Sequence, residues 1–412
     1  MRVLRVLLLS TYDLGRQPFA LASPAAWLRE EGHEVRCADL AVEALPHAAV
    51  REAELVALYL PMHTATRLAG GVIQKVKAFN PQAHVCCYGL YAPLNDSYLR
   101  SLGVESVIGG EFEPALVALA RRLQHGGVNG EESGPQILLE RLQFRTPDRS
   151  GLPGLNRYAK LHLGGERRRT GYTEASRGCK HLCRHCPVVP VYNGQFRVVQ
   201  QGVVLADIRQ QVAAGAQHIT FGDPDFFNGP AHAIRVVEAL HSESPDLSYD
   251  VTIKVEHLLR HCDLLPALRR TGCAFVTSAV ESTEDDVLRK LDKGHTRDDF
   301  IDVTRALRGA GLAFSPTLVP FTPWTTWSGY RDLLDLLLEL DLVENVSPIH
   351  LALRLLIPSG SRVLELPDIG RYVAGFDRAA LIHRWKHPDE GLDKLSYDLM
   401  RLVTEETRRI RS

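Results

Sequence analysis

The chain has 412 residues, 45% of them hydrophobic and 24% charged, with a formal net charge of −1. That is room for two or three domains of ordinary globular composition, and the near-neutral balance supplies no global field toward nucleic acid or an anionic membrane. Eight cysteines in so long a chain, with no secretory leader, argue against a disulfide framework.

The opening run Met1-Arg2-Val3-Leu4-Arg5-Val6-Leu7-Leu8-Leu9-Ser10 is too short, and carries Arg5 inside it, for a signal peptide; it reads as a buried first strand. No stretch approaches the ~20 apolar residues of a membrane span. The expected location is the cytoplasm. Up to about residue 125, strands are expected at 3–10, 34–40, 55–61, 84–91 and 106–110, with helices at 24–31, 64–79 and 114–125. Strands alternating with helices predict a Rossmann-like, doubly wound parallel sheet. Ligands of such sheets bind at the carboxyl ends of strands, which here carry Thr11, Tyr12 and Asp13; Met62, His63 and Thr64; and Gly109, Gly110 and Glu111. No G-x-G-x-x-G follows the first strand, so a nicotinamide site is a poor reading. Cys86-Cys87, Cys262 and Cys273 read as core rather than as redox pairs.

Residues 126–168 are expected to be a linker: 126–135 are rich in Gly, Ser and acid, and 147–153 form a loop. From Arg169 a second alternation begins. Strands are expected at 171–176, 218–222, 249–254, 274–281, 313–319 and 349–356. Helices at 205–215, 232–242, 258–270, 285–291, 298–309 and 329–340 separate them. Six β/α units predict a partial (β/α)6 barrel over 169–357, with chemistry at the carboxyl ends of its strands. Residues 358–412 form an extension, helical at its end, with no task that its sequence declares.

After the first strand of this barrel stands Cys179-Lys180-His181-Leu182-Cys183-Arg184-His185-Cys186, a C-x3-C-x2-C spacing. Three thiolates so close can hold three irons of a [4Fe–4S] cubane, leaving the fourth iron open to an outside ligand such as S-adenosylmethionine (SAM). A zinc site usually has four ligands, often two cysteine pairs, and no second pair follows. His181 or His185 would complete a Cys3His set only inside the same short loop, where a tetrahedron is strained.

This spacing and the residues downstream resemble the radical SAM superfamily, whose core is the partial barrel. The resemblance implies a low-potential cluster on Cys179, Cys183 and Cys186 that cleaves SAM to methionine and a 5′-deoxyadenosyl radical. It implies an electron donor such as flavodoxin or ferredoxin. His185 takes the usually aromatic place before the third cysteine, beside the SAM adenine. Phe221-Gly222-Asp223-Pro224-Asp225-Phe226 resembles the F-x-D-D-x-F of cobalamin-dependent members, with Pro224 where the second Asp would stand. Asp223 is therefore the first choice for the SAM ammonium or ribose and Asp225 the second, with an Asp-Pro turn and a helix cap as the alternative. Ser278-Ala279-Val280-Glu281-Ser282 resembles the family's G-x-E-S, placing Glu281 and Ser282 on SAM. The run 287–296 resembles its V-L-x-x-x-x-K-G-x-T helix. Lys254 ends the third strand, where it would meet a carboxylate or stand solvated at the rim.

A Rossmann-like domain before such a core resembles the cobalamin-binding architecture. In Asp13-Leu14-Gly15-Arg16-Gln17-Pro18, Gly15 takes the place of the histidine of D-x-H-x-x-G, so cobalamin is expected without a lower histidine ligand, held by the three strand-end groups above. Methylthiotransferases need three clustered amino-terminal cysteines, and Cys37, Cys86 and Cys87 lack that grouping. The segments 10–19, 176–187 and 321–326 resemble CUAEP/CCAEP-tail radical SAM proteins. Those carry a cysteine or selenocysteine near the carboxyl terminus, whereas this chain has none after Cys273; a tailless relative or a removed tail is expected. The first reading is a cobalamin-dependent methyltransferase acting on an unactivated centre of a small molecule. The alternatives are a radical SAM rearrangement or oxidation with a degenerate cobalamin domain, and a zinc- or redox-stabilised binding module.

Overall fold

The computed structural model describes residues 2–126 and 134–411. Part of the expected linker, residues 127–133, lies outside the described residues. The chain forms two compact units, Met1–Gly178 with Pro190–Gly222, and Cys179–Val189 with Asp223–Ser412.

The first unit opens with β1 (Arg5–Ser10), α1 (Phe19–Glu30), β2 (Glu34–Asp39), α2 (His47–Glu52), β3 (Leu55–Tyr59) and α3 (His63–Phe79). Then come β4 (His84–Tyr88), α4 (Asp96–Ser101), β5 (Ser106–Gly110), α5 (Phe112–Gln124) and β6 (Gln136–Leu138). The strands are parallel in the order β2-β1-β3-β4-β5-β6, so the chain reverses direction across the sheet between β1 and β3. This is the doubly wound sheet that the alternation predicts, and its strands are buried runs because helices cover both faces. Leu4, Val6, Leu8 and Cys86 pack with α1 and α5 on one face. Leu7, Leu9 and Cys87 pack with α2, α3 and α4 on the other. The period of two puts the vicinal cysteines on opposite faces, and both are buried core residues.

Helix α1 starts five residues before the expected position, so Pro24 lies inside it. Proline has no N–H for the carbonyl four residues back. That carbonyl, of Ala20, instead accepts a 2.7 Å hydrogen bond from the buried Tyr88 hydroxyl. A partner on β4 thus satisfies the break that the sequence reading took as a boundary.

The first unit also holds β7 (Lys160–Leu163), β8 (Glu166–Thr173), β9 (Ser176–Gly178), α6 (Val189–Tyr192, from its second residue), β10 (Phe196–Val198), α7 (Gln201–Ala213) and β11 (His218–Phe221). β8 and β11, the first two barrel strands, pair in parallel.

The second unit contains α8 (Pro230–Glu243), β12 (Ser248–Thr252), α9 (Val255–Arg260), α10 (Leu265–Arg270), β13 (Cys273–Glu281), α11 (Asp285–Leu291), α12 (Arg297–Gly309), β14 (Ala313–Leu318) and α13 (Trp327–Glu339). After these come a hairpin, β15 (Val373–Asp377) and β16 (Ile382–Trp385), and α14 (Glu390–Arg411). β12, β13 and β14 pair in parallel. The fold is the doubly wound sheet followed by a partial barrel.

Two expected elements differ. The helix over 258–270 is broken into α9, a 3-10 turn and α10, because Pro266 in the first turn of α10 cannot continue the preceding ladder. The strand over 349–356 is a 3-10 turn, Pro348–Leu351, followed by a single parallel bridge between Phe321 and Arg354. Pro348 opens that turn. The extension is packed structure: Val363, Ile369, Trp385 and Leu392 share a core with Leu355 and Ile357 and with Val287 and Leu291 of α11. Among the described residues no helix is long and apolar enough to cross a membrane.

Candidate functional site

The cysteine loop belongs to the second unit, as do the carboxyl ends of β12, β13 and β14. Its backbone is fixed at both ends. Lys180 N donates to Asn228 Oδ1 at 3.1 Å, and Arg184 N to Leu291 O at 2.9 Å. The Arg184 guanidinium donates to the last carbonyls of α11, Lys290 O at 2.9 Å and Arg289 O at 3.3 Å. A cation there also complements the helix dipole. The three loop cysteines are free. Burial pushes the Cys179 thiol up to about 11 and the Cys186 thiol up to about 12. Such thiols are inert without a metal, and coordination deprotonates them outright. Three soft donors on an anchored loop, with no second cysteine pair beside it among the described residues, fit a three-thiolate cluster site.

Glu281 ends β13 at a register irregularity, in the left-handed region at φ 70. For a residue with a side chain this is strain of about 1–3 kcal/mol, which the surroundings must over-determine. They do so through charge. Its carboxylate accepts from His185 Nε2 at 3.1 Å and from Lys293 Nζ at 3.5 Å. Burial alone would raise the Glu281 carboxyl, but the Lys293 ammonium and the His185 hydrogen bond outweigh it and hold it at about 2. Lys293 is 3% exposed, so the pair is a buried one. Ser282, also buried, accepts from Glu284 N in the turn before α11. The site thus joins His185 to Glu281 and adds Lys293. The Lys-Gly motif contained Lys293, but nothing in its spacing told which carboxylate it would meet.

Asp223 and Asp225 are 3% and 1% exposed. Asp225 Oδ1 accepts from Phe227 N at 3.1 Å and Lys254 N at 3.4 Å, which is the turn-capping role. Its second oxygen does more: His257 Nδ1 stands 2.6 Å from Oδ2 and His181 Nε2 3.5 Å. Burial would raise this carboxyl, and the two imidazoles outweigh burial and hold it at about 2. Lys254 is not a solvated rim residue; its Nζ lies 2.9 Å from His181 Nδ1 and 3.4 Å from Glu256 Oε2. Glu256 and His257 were missed by sequence reasoning, and His181 was weighed only for a Cys3His set, because the link from loop to α9 exists only in three dimensions.

In the first unit the candidate strand ends are largely occupied by the protein itself. Thr11 Oγ1 donates to Ala65 O in α3 at 3.0 Å. Met62 and His63 are half-buried at the start of α3, Thr64 is exposed, and Tyr12 is half-buried. Burial pushes the Asp13 carboxyl up to about 7, although Arg16 works against it. A Cβ at Gly15, which has φ +74, would stand 3.1 Å from Ala159 Cβ. The glycines that end β5 are required by the chain's own packing. A Cβ at Gly109 would stand 2.3 Å from Pro93, and one at Gly110, φ +71, would stand 2.0 Å from Leu138 O. Glu111 is fully buried, receives Arg177 Nη1 and the Tyr192 hydroxyl, each at 3.2 Å, and is raised by burial to about 7. Arg177, two residues before Cys179, also binds Glu113 at 2.7 and 2.9 Å and Glu174 at 2.7 Å. A buried arginine with one acid removed costs several kcal/mol, so this network fixes the segment leading into the cysteine loop.

Residues 173–337 match the model of the radical SAM superfamily. The hopanoid C-3 methylase of Methylococcus capsulatus is 24% identical over 326 residues, 75% of this chain and 62% of that protein. The tRNA-2-methylthio-N(6)-dimethylallyladenosine synthase of Geobacter sulfurreducens is 23% identical over 201 residues, 45% of this chain and 44% of its own length. The chain therefore matches less than two thirds of either relative. Among solved structures, the cobalamin-dependent SAM radical enzyme OxsB, with aqua-cobalamin and SAM bound, superposes with a TM-score of 0.73. It shares 14% identity, over 96% of this chain and 66% of that one. The methyltransferase TsrM of Kitasatospora setae, with cobalamin and a [4Fe–4S] cluster bound, gives 0.62 at 18% identity, over 82% of this chain and 71% of that one. At these identities the two structures establish the fold.

Proposed function

Because residues 173–337 match the radical SAM superfamily, we propose that the chain cleaves SAM reductively at a [4Fe–4S] cluster and is a cobalamin-dependent methyltransferase acting on an unactivated centre of a small molecule. When bound, the cluster would supply the electron for cleavage of the SAM sulfonium and cobalamin a carrier for the methyl group. Cys179, Cys183 and Cys186 hold the iron. The observation that carries the reading is the coupling of this loop to Glu281: His185, inside the loop, donates to Glu281 at 3.1 Å. A strained, ionised carboxylate is thereby presented next to the cluster loop, where it accepts hydrogen bonds from the ribose hydroxyls or ammonium of SAM. Asp223 binds the other end of SAM, His185 lies against the adenine, and Ser282 lies beside Glu281. Lys254 and Asp225 shape the wall between loop and β12. The cobalamin site lies at the ends of β1, β3 and β5, with Thr11, Tyr12, Asp13, Met62, His63, Thr64, Gly109, Gly110 and Glu111 as its candidate contacts. Gly15 offers no imidazole, so this loop would give a bound corrinoid no lower histidine. An electron donor of the flavodoxin or ferredoxin kind serves the cluster.

A second reading, a radical SAM rearrangement or oxidation without cobalamin, is favoured by one observation. Pro93, Leu138 and Arg177 already fill the spaces at Gly109, Gly110 and Glu111. Anaerobic reconstitution with cobalamin supplied tests both. Retained corrinoid without a protein nitrogen signal on Co(II), together with S-adenosylhomocysteine formation, supports the methyltransferase. 5′-Deoxyadenosine without corrinoid supports the second reading. No SAM cleavage with about four irons bound per chain would overturn both.

A further inference from the structure

Beside the cluster loop, two imidazole nitrogens converge on one buried carboxylate oxygen: His257 Nδ1 at 2.6 Å and His181 Nε2 at 3.5 Å from Asp225 Oδ2. Asp225 is 1% exposed, and buried polar atoms are normally satisfied. Cys179 Sγ completes the picture. The ligand atoms of Cys179, His181 and Asp225 all lie within 4.8 Å of one another.

We propose that in the cluster-free protein Cys179, His181 and Asp225 hold one divalent ion of the zinc type, a site that excludes the iron–sulfur cluster because both require Cys179. Zinc takes thiolate, imidazole and carboxylate at roughly 2.0–2.3 Å in a tetrahedron, so its ligand atoms stand roughly 3.3–3.8 Å apart. His181 Nε2 and Asp225 Oδ2, at 3.5 Å, have that separation. His257 Nδ1, at 2.6 Å from the same oxygen, is too close to share the ion. It serves instead as the donor that orients the carboxylate, a role metal-binding carboxylates commonly require. The other oxygen of Asp225 is already fixed by Phe227 N and Lys254 N.

In the metal-free protein His181 Nδ1 faces the donor Lys254 Nζ at 2.9 Å. With Nε2 on the metal the His181 proton moves to Nδ1, so Lys254 must turn from it to Glu256, whose Oε2, 3.6 Å from Nδ1, then accepts from both. Lys254 retains the same carboxylate at 3.4 Å. The fourth position is left for water. Cys179 binds as thiolate, so its proton is released to solvent as zinc enters. Nothing is oxidised or reduced. The strained Cys3His set inside the loop is avoided, because Asp225, after β11, supplies a ligand from outside it.

Zinc alone is the probe, titrated into chelator-treated, cluster-free full-length protein against a chromophoric indicator, without SAM or cobalamin. We expect one zinc per chain, a thiolate-to-metal band when cobalt is substituted, and loss of iron uptake when zinc is added before reconstitution. His181→Gln and Asp225→Asn should each weaken zinc at least tenfold. Both should still take up about four irons per chain, which also shows that they fold. Zinc affinity unchanged in His181→Gln, or weakened as much in Cys183→Ala as in Asp225→Asn, would mean that the thiols alone bind it and would overturn the site. The reaction assigned above stands or falls separately, on SAM cleavage.

Discussion

Replacing Lys293 with methionine removes the only lysine paired with Glu281 among the described residues while keeping the volume of the side chain. A carboxyl held at about 2 rather than at its ordinary 4.5 is about 3 kcal/mol more stable as the anion. Removing one partner of such a buried pair costs about 3–5 kcal/mol, since the other charge stays buried. The pH dependence gives the sign. In the native protein the depressed carboxyl contributes stability above pH 4.5, and this is lost as pH falls toward 2. In Lys293→Met, burial dominates and the Glu281 carboxyl rises above 4.5, so the variant carries a penalty at neutral pH that disappears as the carboxyl is protonated. Urea unfolding followed by tryptophan fluorescence should therefore show a gap between the two proteins of about 3–5 kcal/mol at pH 7.5. The gap should shrink by roughly half at pH 3.5. Lys293→Arg should restore most of it. A gap that is the same at both pH values, or one that arginine does not narrow, would refute the electrostatic argument and leave Lys293 a packing residue.

Cys183→Ala should abolish SAM cleavage and lower iron content, whereas Cys262→Ala, at an exposed position, should leave both intact; product analysis and iron assay decide. Asp223→Ala should weaken SAM binding measured by calorimetry with iron unchanged, and an unaltered affinity would reduce Asp223 to a turn residue. Gly110→Ala should cost at least about 2 kcal/mol in the same urea assay, because its Cβ meets the Leu138 carbonyl at 2.0 Å in a backbone conformation that disfavours side chains. Stability equal to the native protein would show that β6 yields easily.

Two features were fixed by local sequence. The alternation of buried strands and amphipathic helices required a two-sided parallel sheet, since each apolar run needs cover on both faces. The Cys179–Cys186 spacing placed three thiols in one loop wherever that loop fell. Boundaries set by proline were less legible. Pro266 and Pro348 broke or shortened elements as local sterics require, but Pro24 did not, because the Tyr88 hydroxyl reached the carbonyl that proline leaves unpaired. Long-range charge pairing was not legible at all. Whether Glu281 meets Lys293 or solvent, whether Arg177 collects three glutamates, and whether Asp225 faces His181 and His257 depend on which strand ends and helix starts are brought together. A coulombic partner is selected by distance in space and by shared burial, and neither has a period along the chain.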